Sequence, residues 1–254
     1  MIYKSCHTVG YALDFFWSAV KLNTFCVNND SINEYSEITD ILNEISRRIN
    51  RNNIFISGSA AEYGKYKEKE AIDFISNLSK RLISEEFNII SGFGLGVGSA
   101  VITGALEEIY MQSNSINEDR LLLRPFPQGL EGSKRDELWK KYRQDMISRA
   151  GVSIFLFGNK LENEKIQKAG GMLSEFEIAK EKHNLIVPVG ITGYVAKDIW
   201  NKIKEKPEDY YTNINNDLME AFEKLNDDSI GTEQLIENII SFIKFFKSEK
   251  YNSV

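Results

Sequence analysis

The amino-acid sequence predicts an α/β fold, a Rossmann-like parallel sheet flanked by helices, with a helical N-terminal extension. Three observations lead to this prediction. Short runs of consecutive apolar residues are typical of strands that are buried on both faces. Segments with apolar residues at helical spacing alternate with these runs, as in doubly wound sheets. A glycine-rich stretch lies between the second run and the helix after it.

The predicted strands are five apolar runs rich in Ile, Val, Leu and Phe. In chain order they are NIFISGS (53–59), FNIISG (87–92), RLLLRPF (120–126), VSIFLFG (152–158) and LIVPVG (185–190). Each run is apolar on consecutive positions and does not alternate with polar residues. This pattern favours a parallel sheet that is covered by helices on both faces.

The predicted helices show apolar residues at spacings of three and four. Between the first two runs, these residues are Ala71, Ile72, Ile75, Leu78 and Leu82. Helices are also predicted in VITGALEEIY, DELWKKYRQDMISRAG, SEFEIAKEKHN and the terminal TEQLIENIISFIKFFKSEK. Such a period places the apolar side chains on one face, where they can pack on the sheet.

Residues 1–52 differ in character and are predicted to form a helical extension and linker, followed by one domain over residues 53–254. A helix is predicted in YSEITDILNEISRRINRN, directly before the first strand. Residues 5–24 are aromatic and partly apolar, with no clear partner in the sequence. We expect them to pack on another domain or subunit.

The chain has 254 residues and a formal net charge of −6, which argues against nucleic acid as a partner. Cys6 and Cys26 lack the spacing of metal ligands, and neither a metal cluster nor a catalytic arrangement of Ser, His, Asp or Cys is legible. The opening residues resemble neither a secretory signal nor a membrane span. We therefore expect a cytoplasmic protein without a metal, a cofactor or a membrane partner.

The candidate site comprises the loops that follow the strands, because ligands of such sheets bind beyond the carboxyl ends of the strands. The end of the first strand and the turn after it contain Ser57, Gly58, Ser59 and Ala60. These residues are small, so backbone amides can approach a ligand closely. A plain turn from strand to helix has the same composition, and this alternative stays open.

The loop after the second strand is the strongest candidate for a phosphate cradle. It consists of Gly92, Phe93, Gly94, Leu95 and Gly96. Alternating glycines let the backbone turn tightly and present N–H groups, and the dipole of the following helix favours an anion. The dinucleotide fingerprint of dehydrogenases fits poorly, because Ser99 stands where the third glycine belongs.

Two arginines are candidates for contact with a phosphate. Arg124 ends the third strand, and it either faces the ligand or pairs with a structural carboxylate. Arg143 lies on a charged helix before the fourth strand. A guanidinium suits bidentate binding of phosphate, but the residues alone favour a surface arginine at this position.

The segment after the fourth strand adds a cation and a carboxylate. Lys160 follows the strand, and a polar loop comes after it. Ser174 and Glu177 match a capping box, S-x-x-E, which predicts that Ser174 caps a helix N-terminus. Glu175 would then lie in the first helical turn, where its carboxylate could accept hydrogen bonds from ribose hydroxyls.

Several long motifs occur in one order and with one spacing. They are FISGSA, SGFGLGVGS, LRPFPQG, YRQDMISRAGVSIFLFGNK and SEFEIAK, followed by VPVG and TGYVAKDIW. Together they resemble the SLOG domain of Thoeris anti-phage effectors, over about residues 53–204. The resemblance implies a Rossmann-like sensor that binds a cyclic ADP-ribose isomer made by a partner protein with a TIR domain.

The resemblance also implies that the ligand reorganises a homo-oligomer and activates an attached effector, the best known being an N-terminal sirtuin-like NADase. The implied ligand contacts are the turn at residues 58–60, the glycine loop, Arg143, Lys160 and Glu175. The resemblance thus favours Arg143 over Arg124. The approximately fifty residues before the SLOG region cannot hold a sirtuin-like domain. We therefore expect a sensor and not an enzyme, with the NADase as a separate domain or subunit.

An alternative comes from the wider superfamily, which includes phosphoribohydrolases that cleave nucleoside monophosphates and are known as LOG enzymes. Their motif resembles PGGxGTxxE, and this chain has AGGMLSEFE. Ser174 replaces the threonine, and Ala169 and Leu173 replace the proline and the middle glycine. The bulky Leu173 would crowd a loop that approaches the sugar phosphate, which favours the sensor over the enzyme.

Overall fold

The computed structural model describes residues 41, 42, 45, 50–112, 118–127, 129, 131–212 and 214–249. The chain divides into two compact units, residues 1–47 and 48–254. All strands and helices given below belong to the second unit. The predicted extension over residues 1–52 lies almost entirely outside the described residues, and it stays a prediction together with the domain boundary at residue 53.

A five-stranded parallel sheet forms the centre of the described fold. Its strands are β1 (Asn53–Ser59), β2 (Asn88–Ser91), β3 (Leu121–Leu123), β4 (Val152–Phe157) and β7 (Leu185–Pro188). They lie in the order β3-β2-β1-β4-β7. All six residues of β4 are buried, as expected of a strand between two helical layers. The predicted Rossmann-like α/β fold is confirmed, and each strand lies within one of the five predicted runs.

Seven helices of at least eight residues occur among the described residues. They are α1 (Glu68–Ser84), α2 (Gly98–Gln112), α3 (Gly132–Ser148), α4 (Gly170–Glu181), α5 (Tyr194–Glu205), α6 (Asn216–Glu223) and α7 (Thr232–Glu249). Of the five predicted apolar positions of α1, Ala71, Ile75, Leu78 and Leu82 are buried, whereas Ile72 is 38% exposed. The apolar period therefore locates the packed face of this helix correctly. No helix in the described part of the chain has the length and apolar character required to cross a membrane.

An antiparallel hairpin lies between β4 and α4, where the sequence predicted a polar loop. Its strands are β5 (Asn159–Glu162) and β6 (Lys165–Lys168). The two turn residues, Asn163 and Glu164, have φ values of 50° and 59°. Positive φ at both central residues is the requirement of a type I′ turn, which matches the twist of the flanking strands. The hairpin carries no buried apolar face, so the sequence lacks the pattern that would indicate a strand.

Helix α4 begins earlier than the sequence predicted, and the predicted capping box is wrong. The helix starts at Gly170 with Ala169 as its N-cap, four residues before Ser174. Ser174 therefore lies inside the helix, where its hydroxyl donates to the Gly170 carbonyl at 3.2 Å. Two glycines are poor helix formers. A glycine is nevertheless required at position 171, because a side chain there would meet Arg143, as described below.

Candidate functional site

The loops after β1, β2 and β4 meet at the carboxyl edge of the sheet, because β1 lies between the other two strands. This edge is where doubly wound sheets bind ligands. Most of the sequence-predicted site residues lie on these loops or on the helices that follow. A second cleft lies at the opposite edge and is lined by Lys180, His183 and Tyr210 among others. It contains none of the predicted residues.

The glycine loop packs directly on the turn after β1. A Cβ atom on Gly94 would lie 1.9 Å from the carbonyl oxygen of Gly58, and one on Gly96 would lie 2.0 Å from that of Ala60. The Ala60 amide also donates to the carbonyl of Leu95 at 2.8 Å. No real side chain tolerates such distances. At least two of the alternating glycines are therefore required by contact between the two loops.

The same loop leaves donors for a ligand. Within the described part of the chain, the amides of Gly94, Leu95 and Gly96 donate to no protein acceptor. The Gly98 amide closes the turn by donating to the Gly94 carbonyl at 2.7 Å, and α2 begins there. Free amides beside a helix N-terminus form a suitable environment for an anion.

Two apolar side chains of the loop are exposed at this edge. Phe93 is 48% exposed and Leu95 is 67% exposed. Phe93 also has a φ of 58°, which is unusual for a bulky residue and stores backbone strain. Strained residues of this kind cluster at ligand sites. The structure thus presents both side chains to solvent beside the free amides.

Ser59 carries a polar atom without a partner. Its hydroxyl oxygen is buried, and among the described residues it has no hydrogen-bond partner. A buried hydroxyl without a partner costs about 1–3 kcal/mol. A ligand that brings a polar group to this turn would recover that cost.

Arg143 lies on α3 and is held on three sides. Its side chain is only 14% exposed, so it is not the surface arginine that the residues alone suggested. Its Nε donates to Oε1 of Glu175 at 3.2 Å. The guanidinium carbon lies 4.9 Å from the ring centroid of Phe126, and Nη2 would lie 2.7 Å from a Cβ on Gly171. Gly171 therefore leaves the space that the guanidinium occupies.

The carboxylate of Glu175 is buried and engaged on both oxygens. Oε2 accepts from the Ser57 hydroxyl at 2.6 Å, and Oε1 accepts from Arg143. Burial raises the pKa of Glu175 above its ordinary value, while the bond from Ser57 and the charge of Arg143 act in the opposite direction. Glu175 lies in the second turn of α4 and not in the first. Its carboxylate faces protein donors in this structure.

Arg124 is the arginine that pairs with a structural carboxylate. Its Nη2 lies 3.6 Å from Oδ2 of Asp145, and its amide donates to the Ser91 carbonyl at 2.9 Å. Asp145 also accepts two hydrogen bonds from Arg149. Of the two alternatives that the sequence left open for Arg124, the pair with a carboxylate is the one seen in this structure.

Lys160 lies on β5, apart from the pair of Arg143 and Glu175. Its ammonium is 2.7 Å from Oε2 of Glu162, and its side chain is 44% exposed. Its neighbour Asn159 is fully buried and accepts from the amides of Ala61 and Glu62, at 2.9 and 3.1 Å. Asn159 thereby fixes the base of the hairpin to the turn after β1. The structure places Lys160 near the same edge, but not in contact with the other predicted side chains.

Sequence reasoning missed two residues that shape the site, Phe126 and Asn159, and it named Ser57 only as a small residue beside the turn, without its bond to Glu175. The sequence indicates Phe126 only as the last residue of the apolar run RLLLRPF, yet its ring packs under Arg143 and against Gly92. Ser57 and Asn159 are polar residues within or beside apolar strands. A polar residue at a position that the apolar run predicts to be buried was the one available signal.

A groove with a volume of about 650 Å³ lies between α3 and α4. Arg143, Trp139, Gln144, Gly171 and Ser174 line part of it. The groove gives access to the guanidinium of Arg143 from outside. Glu177, which would be the glutamate of the phosphoribohydrolase motif, also lines it and accepts a hydrogen bond from Lys202 at 2.9 Å. The carboxylate that bonds Arg143 is Glu175.

Comparison with known proteins identifies relatives of this chain. Residues 37–246 match the Sir2- and TIR-associating SLOG family (STALD). The NAD(+) hydrolase ThsA of Bacillus cereus (strain MSX-D12) is 49% identical over 89% of this chain and 47% of its own length. Those of Enterococcus faecium and Cytobacillus dafuensis are 36% and 41% identical, over 90% and 84% of this chain. The chain spans about half the length of the curated relatives it matches.

Among solved structures, the X-ray structure of TM1055, a structural genomics target, has a TM-score of 0.41. It is 15% identical in sequence, and the match covers 59% of this chain and 80% of that chain. This likeness is too low to add to the argument from the sheet topology.

These relatives overturn one prediction from the sequence. The chain was expected to be a sensor and not an enzyme, but the curated relatives are named NAD(+) hydrolases. The expectation is therefore wrong, since it depended on how much chain precedes the SLOG region. The resemblance to the SLOG domains of Thoeris anti-phage effectors is confirmed, and the chain belongs to the Sir2- and TIR-associating SLOG family.

Proposed function

We propose that this chain is the nucleotide-sensing region of an NAD(+) hydrolase that acts in anti-phage defence. Its ligand is a cyclic ADP-ribose isomer, produced by a partner protein with a TIR domain. Binding rearranges a homo-oligomer and thereby activates hydrolysis of NAD(+). The family supports the partner, since it is Sir2- and TIR-associating, and the names of the relatives support the activity.

The arrangement of Arg143 carries the proposal. Its Nε bonds Glu175, and in the described part of the chain neither Nη nitrogen makes a hydrogen bond. The guanidinium is thus fixed along one edge and unsatisfied along the other. A fixed fork of N–H donors is what a phosphate requires for bidentate recognition.

The other groups supply the remaining contacts that a cyclic ADP-ribose isomer needs, namely contacts for a second phosphate and for the base. The free amides at residues 94–96 suit a phosphate, and Lys160 adds a second cation near the same edge. Because the Lys160 side chain is exposed, it can leave Glu162 and reach a phosphate by rotation alone. Phe93 and Leu95 offer apolar surface for a base. The ligand would therefore span the edge of the sheet from the glycine loop to Arg143.

Isothermal titration calorimetry with a panel of cyclic ADP-ribose isomers tests this proposal. We expect one isomer to bind the wild-type chain, and Arg143→Ala to weaken that binding about tenfold to a hundredfold, because a charge-assisted hydrogen bond contributes about 1.5–3 kcal/mol. Arg149→Ala is the matched control, since Arg149 follows the same helix and pairs with Asp145 on the surface. Equal affinities for wild type and Arg143→Ala would contradict the site.

Two further measurements test the proposed response. Sedimentation with and without the bound isomer should show a change in oligomer size or shape, because a ligand shifts an equilibrium only between states of different affinity. Chromatography after incubation with adenosine monophosphate tests the alternative. Release of adenine would favour a phosphoribohydrolase, whereas recovery of the intact nucleotide favours the sensor.

A further inference from the structure

Ser57 is a buried polar residue whose hydroxyl has a defined partner. It lies on β1, one residue before the turn that packs on the glycine loop, and only 2% of its surface is exposed. Its hydroxyl donates to Oε2 of Glu175 at 2.6 Å. A short bond between a hydroxyl and a carboxylate is of the strong, charge-assisted type. Such a bond restricts the rotation of the carboxylate.

The effect of this bond extends to Arg143 through the second oxygen of Glu175. With Oε2 held by Ser57, Oε1 is turned toward Nε of Arg143 at 3.2 Å. The planar guanidinium then has its position fixed by Glu175 on one edge and by the ring of Phe126 on one face. Three elements, β1, α4 and α3, thus meet in one chain of contacts.

We infer that Ser57 is a positioning residue of the ligand site, whose hydroxyl fixes the Glu175 carboxylate in the orientation that holds Arg143. The expected effect of Ser57 on ligand affinity rests on the proposed function. The effect of Ser57 on the position of the Arg143 guanidinium does not, because it exists without a ligand. Ser57 touches neither the groove between α3 and α4 nor solvent, so it acts through Glu175.

The groups that act electrostatically on Glu175 are few. Arg143 from α3 and the Ser57 hydroxyl from β1 both lower the pKa of its carboxyl, against the larger effect of burial. From α5, which packs beside α4, Lys202 is directed to Glu177 on the surface. When the pH falls through the pKa of Glu175, its carboxylate becomes neutral and the hold on Arg143 weakens.

The first test uses the ligand-free protein. Two-dimensional ¹⁵N–¹H spectra of the arginine side chains report the Nε–H of Arg143, assigned by its loss in Arg143→Lys. In Ser57→Ala we expect this signal to move and its hydrogen exchange to accelerate about tenfold, because the bond to Glu175 opens more often. Ser79→Ala is the matched control, a buried serine that bonds the Ile75 carbonyl within α1. An unchanged signal in Ser57→Ala would overturn the inference.

The second test measures affinity against pH, from pH 5 to pH 8, with the isomer that the wild-type chain binds in calorimetry. We expect Ser57→Ala to bind about tenfold more weakly at neutral pH. We also expect its affinity to decline at a higher pH than that of wild type, since the lost hydroxyl no longer lowers the pKa of Glu175. A merely structural serine would leave the midpoint unchanged, and an identical midpoint would overturn the inference. If no isomer binds the wild type, the proposed function fails, and the spectra alone decide on Ser57.

Discussion

Because Gly171 lies against Arg143, a substitution at Gly171 tests how the position of the Arg143 guanidinium affects ligand binding. Gly171→Ala places a Cβ atom 2.7 Å from Nη2 of Arg143. Non-bonded heavy atoms pack at about 3.5–4.0 Å, so the guanidinium must move by about 1 Å. The Nε–Oε1 distance is already 3.2 Å, and a shift of this size in the direction away from α4 breaks the bond to Glu175.

The expected cost falls on ligand binding and only partly on folding. Loss of a hydrogen bond between charged groups costs about 1.5–3 kcal/mol, but alanine is more favourable than glycine inside a helix by about 1 kcal/mol. Stability should therefore change by no more than about 2 kcal/mol. The affinity for the cyclic nucleotide should fall about tenfold to a hundredfold, because the guanidinium fork is displaced from the ligand.

The chain offers a matched control in the preceding residue. Gly170 lies in the same first turn of α4, but a Cβ there would meet no heavy atom within 4 Å. Gly170→Ala should bind the ligand as wild type does and should be equally stable or slightly more so. The assays are calorimetry for affinity and urea denaturation for stability. Equal affinities for the two alanine variants would refute the claim that Gly171 leaves space for Arg143.

Three more predictions concern stability. Gly94→Ala should destabilise the fold by about 3 kcal/mol in urea denaturation, since its Cβ would meet the Gly58 carbonyl, and a loss under 1 kcal/mol would contradict the packing of the two loops. Asn159→Ala should cost about 3 kcal/mol, because the amides of Ala61 and Glu62 lose their acceptor, and protease sensitivity should rise at that turn. Glu175 has a raised folded-state pKa, so its contribution to stability is complete below its unfolded pKa and is lost as the pH rises through the folded value. The unfolding free energy of wild type minus that of Glu175→Gln should therefore decrease from pH 4 to pH 8, and a difference that is flat or increases would contradict the shift.

The sequence predicted the sheet well, because each strand lies in a continuous apolar run, even β3, an edge strand that is only partly buried. It missed the hairpin for the opposite reason. Leu161 and Ile166 face each other across the hairpin, yet both are exposed, at 61% and 37%. With no face to bury, the two strands show no apolar pattern. The type I′ turn was also missed, because its two central residues are Asn163 and Glu164. A glycine usually occupies the second position of such a turn, and a glutamate there does not predict one.

The sequence indicated residues of the candidate site but not the contacts between them. The glycines were predicted to form a phosphate loop, which stays a prediction, and contact with the β1 turn requires two of them. Ser57 and Glu175 are 118 positions apart, and only the fold brings them within 2.6 Å. The capping box is wrong because the helix begins four residues before Ser174. Gly170 and Gly171 lie inside the helix, and the second of them leaves room for Arg143.

The interlocked glycines at the carboxyl edge also bear on how this site can be re-engineered. The turn at residues 58–60 lies so close to the glycine loop that it leaves no room for a side chain at Gly94 or Gly96. A chimaera that exchanges only one of them with a relative would create clashes or a gap at their shared surface. Ligand preference should therefore transfer between relatives only when both segments are grafted as a pair.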